Sequence, residues 1–264
     1  MQTINALGLK IDNLSLVDVR LRLAEFFASD RFHQIATVNP DFVMVARKKE
    51  DFQEIINTAD LSLADGVGIH LPAFLQGKEL IERIPGSDLT EYLLAYAQEH
   101  HHDVYLLART DGLSSYEETR AALLHRFPNL VVHGDNVDIH SEQSMTTALE
   151  HVHGALVLAN FGAPTQDTFL ARLRSYPESG ARIVMGVGGT FDFYTHKQTR
   201  APKLVRQFGL EWLWRLLLHP RRMKRTWNYV VIFSLLCLGE SFVTLWKKHD
   251  PSGAWRAIFQ LPRF

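Results

Sequence analysis

The sequence predicts an α/β fold, a mostly parallel sheet with helices on both faces, plus a helical C-terminal appendage. Three observations carry this. Short apolar runs recur along the chain, amphipathic stretches separate them, and after Gly209 the composition turns aromatic and basic.

The runs are Gln34–Asn39, Leu61–Ala64, Val104–Ala108, Leu130–His133, Ala155–Asn160 and Arg182–Gly186. They are continuous rather than alternating, as strands covered on both faces require. Between them, Asp41–Asn57, Leu89–His100, Ser115–Arg126, Ser141–His151 and Gln166–Ser175 have helical character. Several of these begin with Asp, Ser or Glu, which suits the unpaired amides of a helix start; Asp60 and Asp88 also read as caps. No repeat or low-complexity linker divides this region. Residues 1–199 therefore read as one domain and 200–264 as its appendage.

Bulk properties limit the function classes. The chain has 264 residues, 46% of them hydrophobic, enough for a full core. Its one cysteine excludes an intrachain disulfide, and a reducing compartment is the natural setting. The opening MQTINALGLKIDNLS lacks a charged region followed by an apolar run, so no secretory leader is expected. A formal net charge of -1 hides a division. From Arg200 onward about 12 of the 28 Lys and Arg meet about 3 of the 29 acidic residues, leaving one strongly basic end. Such an end suits membrane phospholipid, nucleic acid or a phosphorylated ligand.

Within that end, Trp227–Trp246 has the length of a membrane span, roughly 20 residues, but Glu240 near its centre would be costly in hydrocarbon. A surface-lying helix or helical hairpin with aromatic anchors fits better than a span. An oligomer interface or core helix is the other reading, with Leu213, Leu216 and Leu217 as candidate interface residues.

Ligands of open α/β sheets bind beyond the carboxyl ends of the strands, and polar and glycine residues gather there. The segments are Thr37–Pro40, Asp65–Gly68, Asn160–Gln166 and Gly186–Asp192. Gly186, Gly188 and Gly189 are candidates to let backbone amides approach a diphosphate; tight strand-to-helix packing would explain them too. Asp65, at a strand end, is a candidate general base or a helix cap. Asp192, among aromatic residues, is a second candidate carboxylate. The 13 histidines include the run His100–His102, which suits an exposed helix end. No zinc-type spacing and no Asp-x-Asp triplet occurs, so a metal site is not expected. Arginines near the appendage would have to neutralise a diphosphate leaving group instead.

Taken together, ATVNP (36–40), ADLSLADGVG (59–68), RIPGSDL (83–89), FGAPTQ (161–166), GVGGTFDF (186–193), RAPK (200–203) and GLEWLWRLLLHPRR (209–222) resemble the WecG/TagA/CpsF family of glycosyltransferases. The resemblance runs from about residue 5 to Arg225. It implies a Rossmann-like domain and an inverting, metal-independent transfer from a UDP-sugar, with no cofactor. The acceptor it implies is a polyprenyl-diphosphate-linked sugar, in cell-surface polysaccharide synthesis at the cytoplasmic face of the membrane. By motif, Asp65 is the implied general base, while Thr37, Asn39 and Gln166 line the sugar and acceptor pocket. Gly186, Gly188 and Gly189 approach the nucleotide, and Arg215, Arg222 and Arg225 reach the diphosphate; Asp192, the second candidate carboxylate, is placed with the substrate-binding residues on its own reading. The implied partners are the two substrates and an anionic membrane surface, not nucleic acid. The chain departs from the family after Arg225, where Trp227–Trp246 precedes a Leu261–Phe264 tail.

Two other classes compete. A nucleotide-dependent oxidoreductase needs G-x-G-x-x-G after the first strand and an acidic residue about 20 positions on; neither stands where required. A non-catalytic, membrane-associated nucleotide-binding protein would need only the basic, aromatic end.

Overall fold

In the computed structural model the described residues are 2–218 and 223–249; the side chains of 215, 218, 223–229 and 244–249 lie outside them. The chain opens with an antiparallel hairpin, β1 (Thr3–Ala6) and β2 (Leu9–Asp12), then α1 (Leu16–Ala28). Next come β3 (His33–Val38), α2 (Pro40–Ala46), α3 (Glu50–Asn57), β4 (Leu61–Ala64), α4 (His70–Leu75) and α5 (Gly86–Glu99). After them run β5 (Val104–Arg109), α6 (Tyr116–Arg126), β6 (Val132–Val137), α7 (Glu142–His151) and β7 (Leu156–Ala159). The remainder is α8 (Thr165–Arg172), β8 (Ile183–Gly186), α9 (Thr190–Tyr194), α10 (Lys203–Gln207), α11 (Glu211–Leu218) and α12 (Met223–His249).

Strands β3 to β8 form one sheet in the order β4-β3-β8-β7-β5-β6, with every pairing parallel. The expected α/β class is borne out. Alternate residues of each inner strand feed opposite layers. Ile35, Leu106, Leu158 and Met185 join α1, α5 and α6 on one face. Ala36 meets α2 and α3 on the other, and Leu107, Val157 and Val184 meet α7 and α8 there. Burial on both faces is why these strands are mostly apolar without alternating, and why the polar residues they do carry, such as Gln34 and Ser62, are hydrogen-bonded.

Four readings need correction. The Leu130–His133 strand lies two residues further on, as β6, carrying His133, Asp135 and Asn136. It is an edge strand paired only with β5, so polar residues can face solvent. The single helix over Asp41–Asn57 is two, because the chain turns at Arg47–Lys49. Asp60 is no cap: it accepts from the Gln34 backbone N–H (2.9 Å) and pairs with Arg174 (3.4 Å). Asp88 sits inside the first turn of α5, where Arg200 and Arg206 hold its carboxylate.

The C-terminal helices are anchored to this body. α12 crosses α2 and α4, burying Phe233 (1% exposed) and Cys237 in the apolar cluster on that face. Burial pushes the Cys237 thiol up to about 11, so it packs as an uncharged residue. Val231, Leu235, Leu238 and Phe242 remain exposed on the same helix. Among the described residues no helix is long and apolar enough to cross a membrane. Truncating Phe233 removes a fully buried ring, so Phe233→Ala should lower the unfolding free energy by about 3 kcal/mol in a urea titration. No loss would mean that α12 is not docked as described.

Candidate active site

The four strand ends singled out in the sequence belong to β4, β3, β8 and β7, which are contiguous in the sheet. Their loops therefore share one crevice. That adjacency arises because the chain steps from β3 out to β4, crosses to β5 and β6, and fills the centre last with β7 and β8.

On one side of the crevice lie Thr37, Asn39 and Asp65. The Asp65 backbone N–H donates to Val38 O (2.9 Å), ending the β3–β4 ladder. Its carboxylate Oδ1 accepts from the Gly86 N–H (3.0 Å), the first amide of α5. A carboxylate placed there satisfies an amide that the helix itself cannot pair, and that bond fixes its orientation. Arg83 donates to the Asp65 carbonyl oxygen (3.3 Å) and to the Arg206 carbonyl oxygen (2.7 Å), tying this turn to α10. Thr37 is buried against Gly86, whose missing side chain leaves room for the hydroxyl. Asn39 caps α2 by accepting from the Phe42 N–H (3.1 Å) and packs beside Gly66.

Centrally, Gln166 is 2% exposed, and its Oε1 accepts from both the Gly162 N–H (3.0 Å) and the Gly188 N–H (3.1 Å). One amide oxygen thus joins the β7 and β8 loops. Gly186 is required here, since a Cβ would fall 2.3 Å from Gln166 Nε2. Gly188 has φ +51 and nothing within 4 Å of where a Cβ would stand, so this side of the turn is open while its N–H is held by Gln166. Gly189 precedes α9. Asp192 lies within α9, but its Oδ1 accepts from Ser114 Oγ (2.7 Å), and Ser114 Oγ also bonds Thr195 Oγ1 (2.7 Å). Asp192 therefore links α9 to the β5 loop as well as lying near Gly189.

The structure thus gathers Thr37, Asn39 and Asp65 into one group and Gln166 with Gly186 and Gly188 into another, with Gly189 and Asp192 beside it. Arg215 falls on α11 and Arg225 on α12, but their side chains, and all of Arg222, lie outside the described residues. Sequence reasoning missed Gly86 and Arg83 as parts of the site. The Pro85-Gly86 pair was the available signal, since a proline before a helix start is common. Among the described residues no group of three or more His, Cys, Asp or Glu could hold a metal ion.

A parallel α/β sheet with a carboxylate and glycines gathered at its strand ends is the arrangement in which open α/β folds bind ligands at the carboxyl edge. The chain belongs to the WecG/TagA/CpsF family of glycosyl transferases, whose family model matches residues 4–246. It is therefore a glycosyltransferase. Curated relatives include the N-acetylglucosaminyldiphosphoundecaprenol N-acetyl-beta-D-mannosaminyltransferases of Staphylococcus aureus strains MRSA252 and NCTC 8325 / PS 47. Each is 28% identical over 226 residues, covering 84% of this chain and 87% of the relative.

Beside Gln166, the Asp167 carboxyl is fully buried, and its Oδ2 has no hydrogen-bond partner. Burial pushes it from the ordinary 3.8 up to about 7. Below pH 3.8 the carboxyl is neutral in both states and costs nothing. As pH rises towards 7 the unfolded chain ionises while the fold holds the proton, so stability falls across that window. Asp167→Asn should raise the unfolding free energy by about 4 kcal/mol at pH 8 and by little at pH 4. Urea titrations at the two pH values decide this, and an equal effect at both would contradict it.

Proposed function

We propose that the chain is an inverting transferase that moves an N-acetylmannosamine-type sugar from a UDP-sugar to N-acetylglucosamine linked to a polyprenyl diphosphate. Mannosaminuronic acid or glucose donors are the variants of this reading. The sugar and the lipid-linked acceptor are those in the names of the relatives. The observation that carries the mechanism is the Asp65 carboxylate, fixed by the Gly86 N–H at the crevice onto which the Gly188 turn opens.

In this mechanism Asp65 takes the proton from the acceptor hydroxyl. The oxygen forms a bond to the anomeric carbon, and the bond from that carbon to the diphosphate oxygen breaks. UDP leaves from the opposite face with the electron pair, inverting the centre. The Gly188 N–H is held by Gln166, so it is the Gly189 amide, next along this turn, that offers a hydrogen bond to the developing negative charge. Thr37, Asn39 and Gln166 line the sugar and acceptor pocket in this reading, with Asp192 beside the glycines. Arg215, Arg222 and Arg225 reach the diphosphate from the appendage.

Residues 200–264 hold the protein at the cytoplasmic face of the membrane in the same proposal. Their basic excess and the exposed Leu217, Leu235, Leu238 and Phe242 support it. Flotation with anionic vesicles should therefore weaken when residues 226–264 are removed; unchanged binding would refute the role of that segment. For the chemistry, Asp65→Asn should lower the transfer rate by about 10²–10⁴-fold while UDP still binds. Full activity in that variant would pass the role to Asp192. Binding of NAD without turnover of any UDP-sugar would reverse the reading altogether.

A further inference from the structure

A second recess adjoins the Asp65 turn. It is a cleft of about 370 Å³ between α1, the 82–92 segment and α10. Four cations line it, Arg20, Arg83, Lys203 and Arg206, against two carboxylates, Glu82 and Asp88. Both carboxylates are already engaged. Glu82 Oε2 accepts from the Leu16 N–H (2.6 Å), and Asp88 is shared between Arg200 and Arg206. Of the cations, Arg83 bonds only carbonyl oxygens, and Arg20 lies over the Tyr92 ring, 4.9 Å from its centroid. Neither they nor Lys203 has an ion pair with a carboxylate among the described residues. The cleft thus carries an excess of two positive charges.

A diphosphate diester carries two negative charges, one on each phosphate, and guanidinium groups match such oxygens in pairs. The surroundings narrow the ligand further. Val17 and Leu21 on α1, Leu204 on α10 and Phe208 just after it are 62–73% exposed. Unpaired cations between exposed apolar side chains suit a ligand with a doubly charged head and a hydrocarbon tail. The bond from Arg83 to the Asp65 carbonyl oxygen makes the cleft and the candidate base neighbours.

We propose that the cleft between α1, α5 and α10 seats the diphosphate of the polyprenyl-linked acceptor, with Arg20, Arg83, Lys203 and Arg206 as its ligands. The assignment rests on the transferase reading, and it separates the acceptor's diphosphate from the donor's, which faces the Gly188–Gly189 turn. The prenyl chain leaves over Val17, Leu21, Leu204 and Phe208 towards the membrane. The acceptor sugar extends in the other direction, past Arg83 to Asp65.

The test is the full-length double variant Arg20→Ala/Lys203→Ala, both at exposed positions, assayed with a short-chain prenyl-diphosphate N-acetylglucosamine. Loss of the two charged contacts should raise the acceptor KM by about tenfold or more. The kcat and the donor KM should stay within about twofold, since neither residue is assigned to the donor or to the proton transfer. The charge-keeping pair Arg20→Lys/Lys203→Arg should recover most of the loss. Inorganic pyrophosphate should inhibit the wild type in competition with the acceptor. An unchanged acceptor KM, or pyrophosphate competing only with the UDP-sugar, would overturn the assignment. So would phosphatidylglycerol vesicles that compete as well as the acceptor does, which would make the cleft a general headgroup site. If the wild type turns over no UDP-sugar, calorimetry with pyrophosphate still decides. Binding lost in the double variant keeps a diphosphate site while the transferase reading falls, and equal binding in both proteins removes the site.

Discussion

The Gln166 side chain lies buried where the loops after β7 and β8 meet, with its amide oxygen shared between the Gly162 and Gly188 N–H groups. Because it is 2% exposed, water cannot replace either partner. The carboxamide occupies the space above Gly186 that any other residue's Cβ would need. These contacts set the shape of the crevice floor. They hold the Gly188 turn at φ +51 with one side open, and they bring α9, whose Asp192 is tied to Ser114, up to the same edge. A second constraint acts on the neighbouring wall, where the first amide of α5 orients Asp65. The proposed chemistry depends on both, since a base and an anion-binding turn act on one substrate only if their separation is fixed.

Much of the sheet was legible because β3, β4, β5, β7 and β8 are buried almost throughout and so form mostly apolar runs without alternation. β6 was displaced in the reading because an edge strand keeps polar residues, and the apolar Leu130 and Val131 lie just outside it. The hairpin of β1 and β2 went unread although Ile4, Ala6, Leu9 and Ile11 are buried in it. Its turn places Leu7 at φ 51 and Gly8 at φ 96; Gly8 is the one turn signal, standing beside a leucine that gives none. Among the candidate residues, aspartate and glycine at strand ends could be picked out because those residue types are sparse within buried strands. Gly86 and Arg83 lay within the RIPGSDL segment but were not singled out, because their importance comes from meeting Asp65 across a stretch of chain with no repeating spacing. Gln166 was found, but its bond to Gly188, 22 residues away, depends on β7 and β8 being neighbours in the sheet.

The C-terminal helices show how a basic, apolar segment can serve two surfaces. One side of α12 contributes Phe233 and Cys237 to the body, in contact with α2 just after Asn39. Its other residues, together with exposed side chains on α10 and α11, leave apolar surface outside. This surface lies on the chain that follows Arg206, whose carbonyl oxygen accepts from Arg83 of the Asp65 turn. A lipid-linked acceptor needs that continuity, because its sugar must reach the base while its tail stays in hydrocarbon.

The central claim is that one crevice, at the ends of β4, β3, β8 and β7, receives the donor. A crystal structure of the wild-type protein with UDP tests it most directly. The account predicts diphosphate density at the Gly188–Gly189 turn, within hydrogen-bonding distance of the Gly189 N–H, on the same side of the sheet as Asp65. UDP bound at the opposite end of the strands, or in the cleft between α1, α5 and α10, would contradict it.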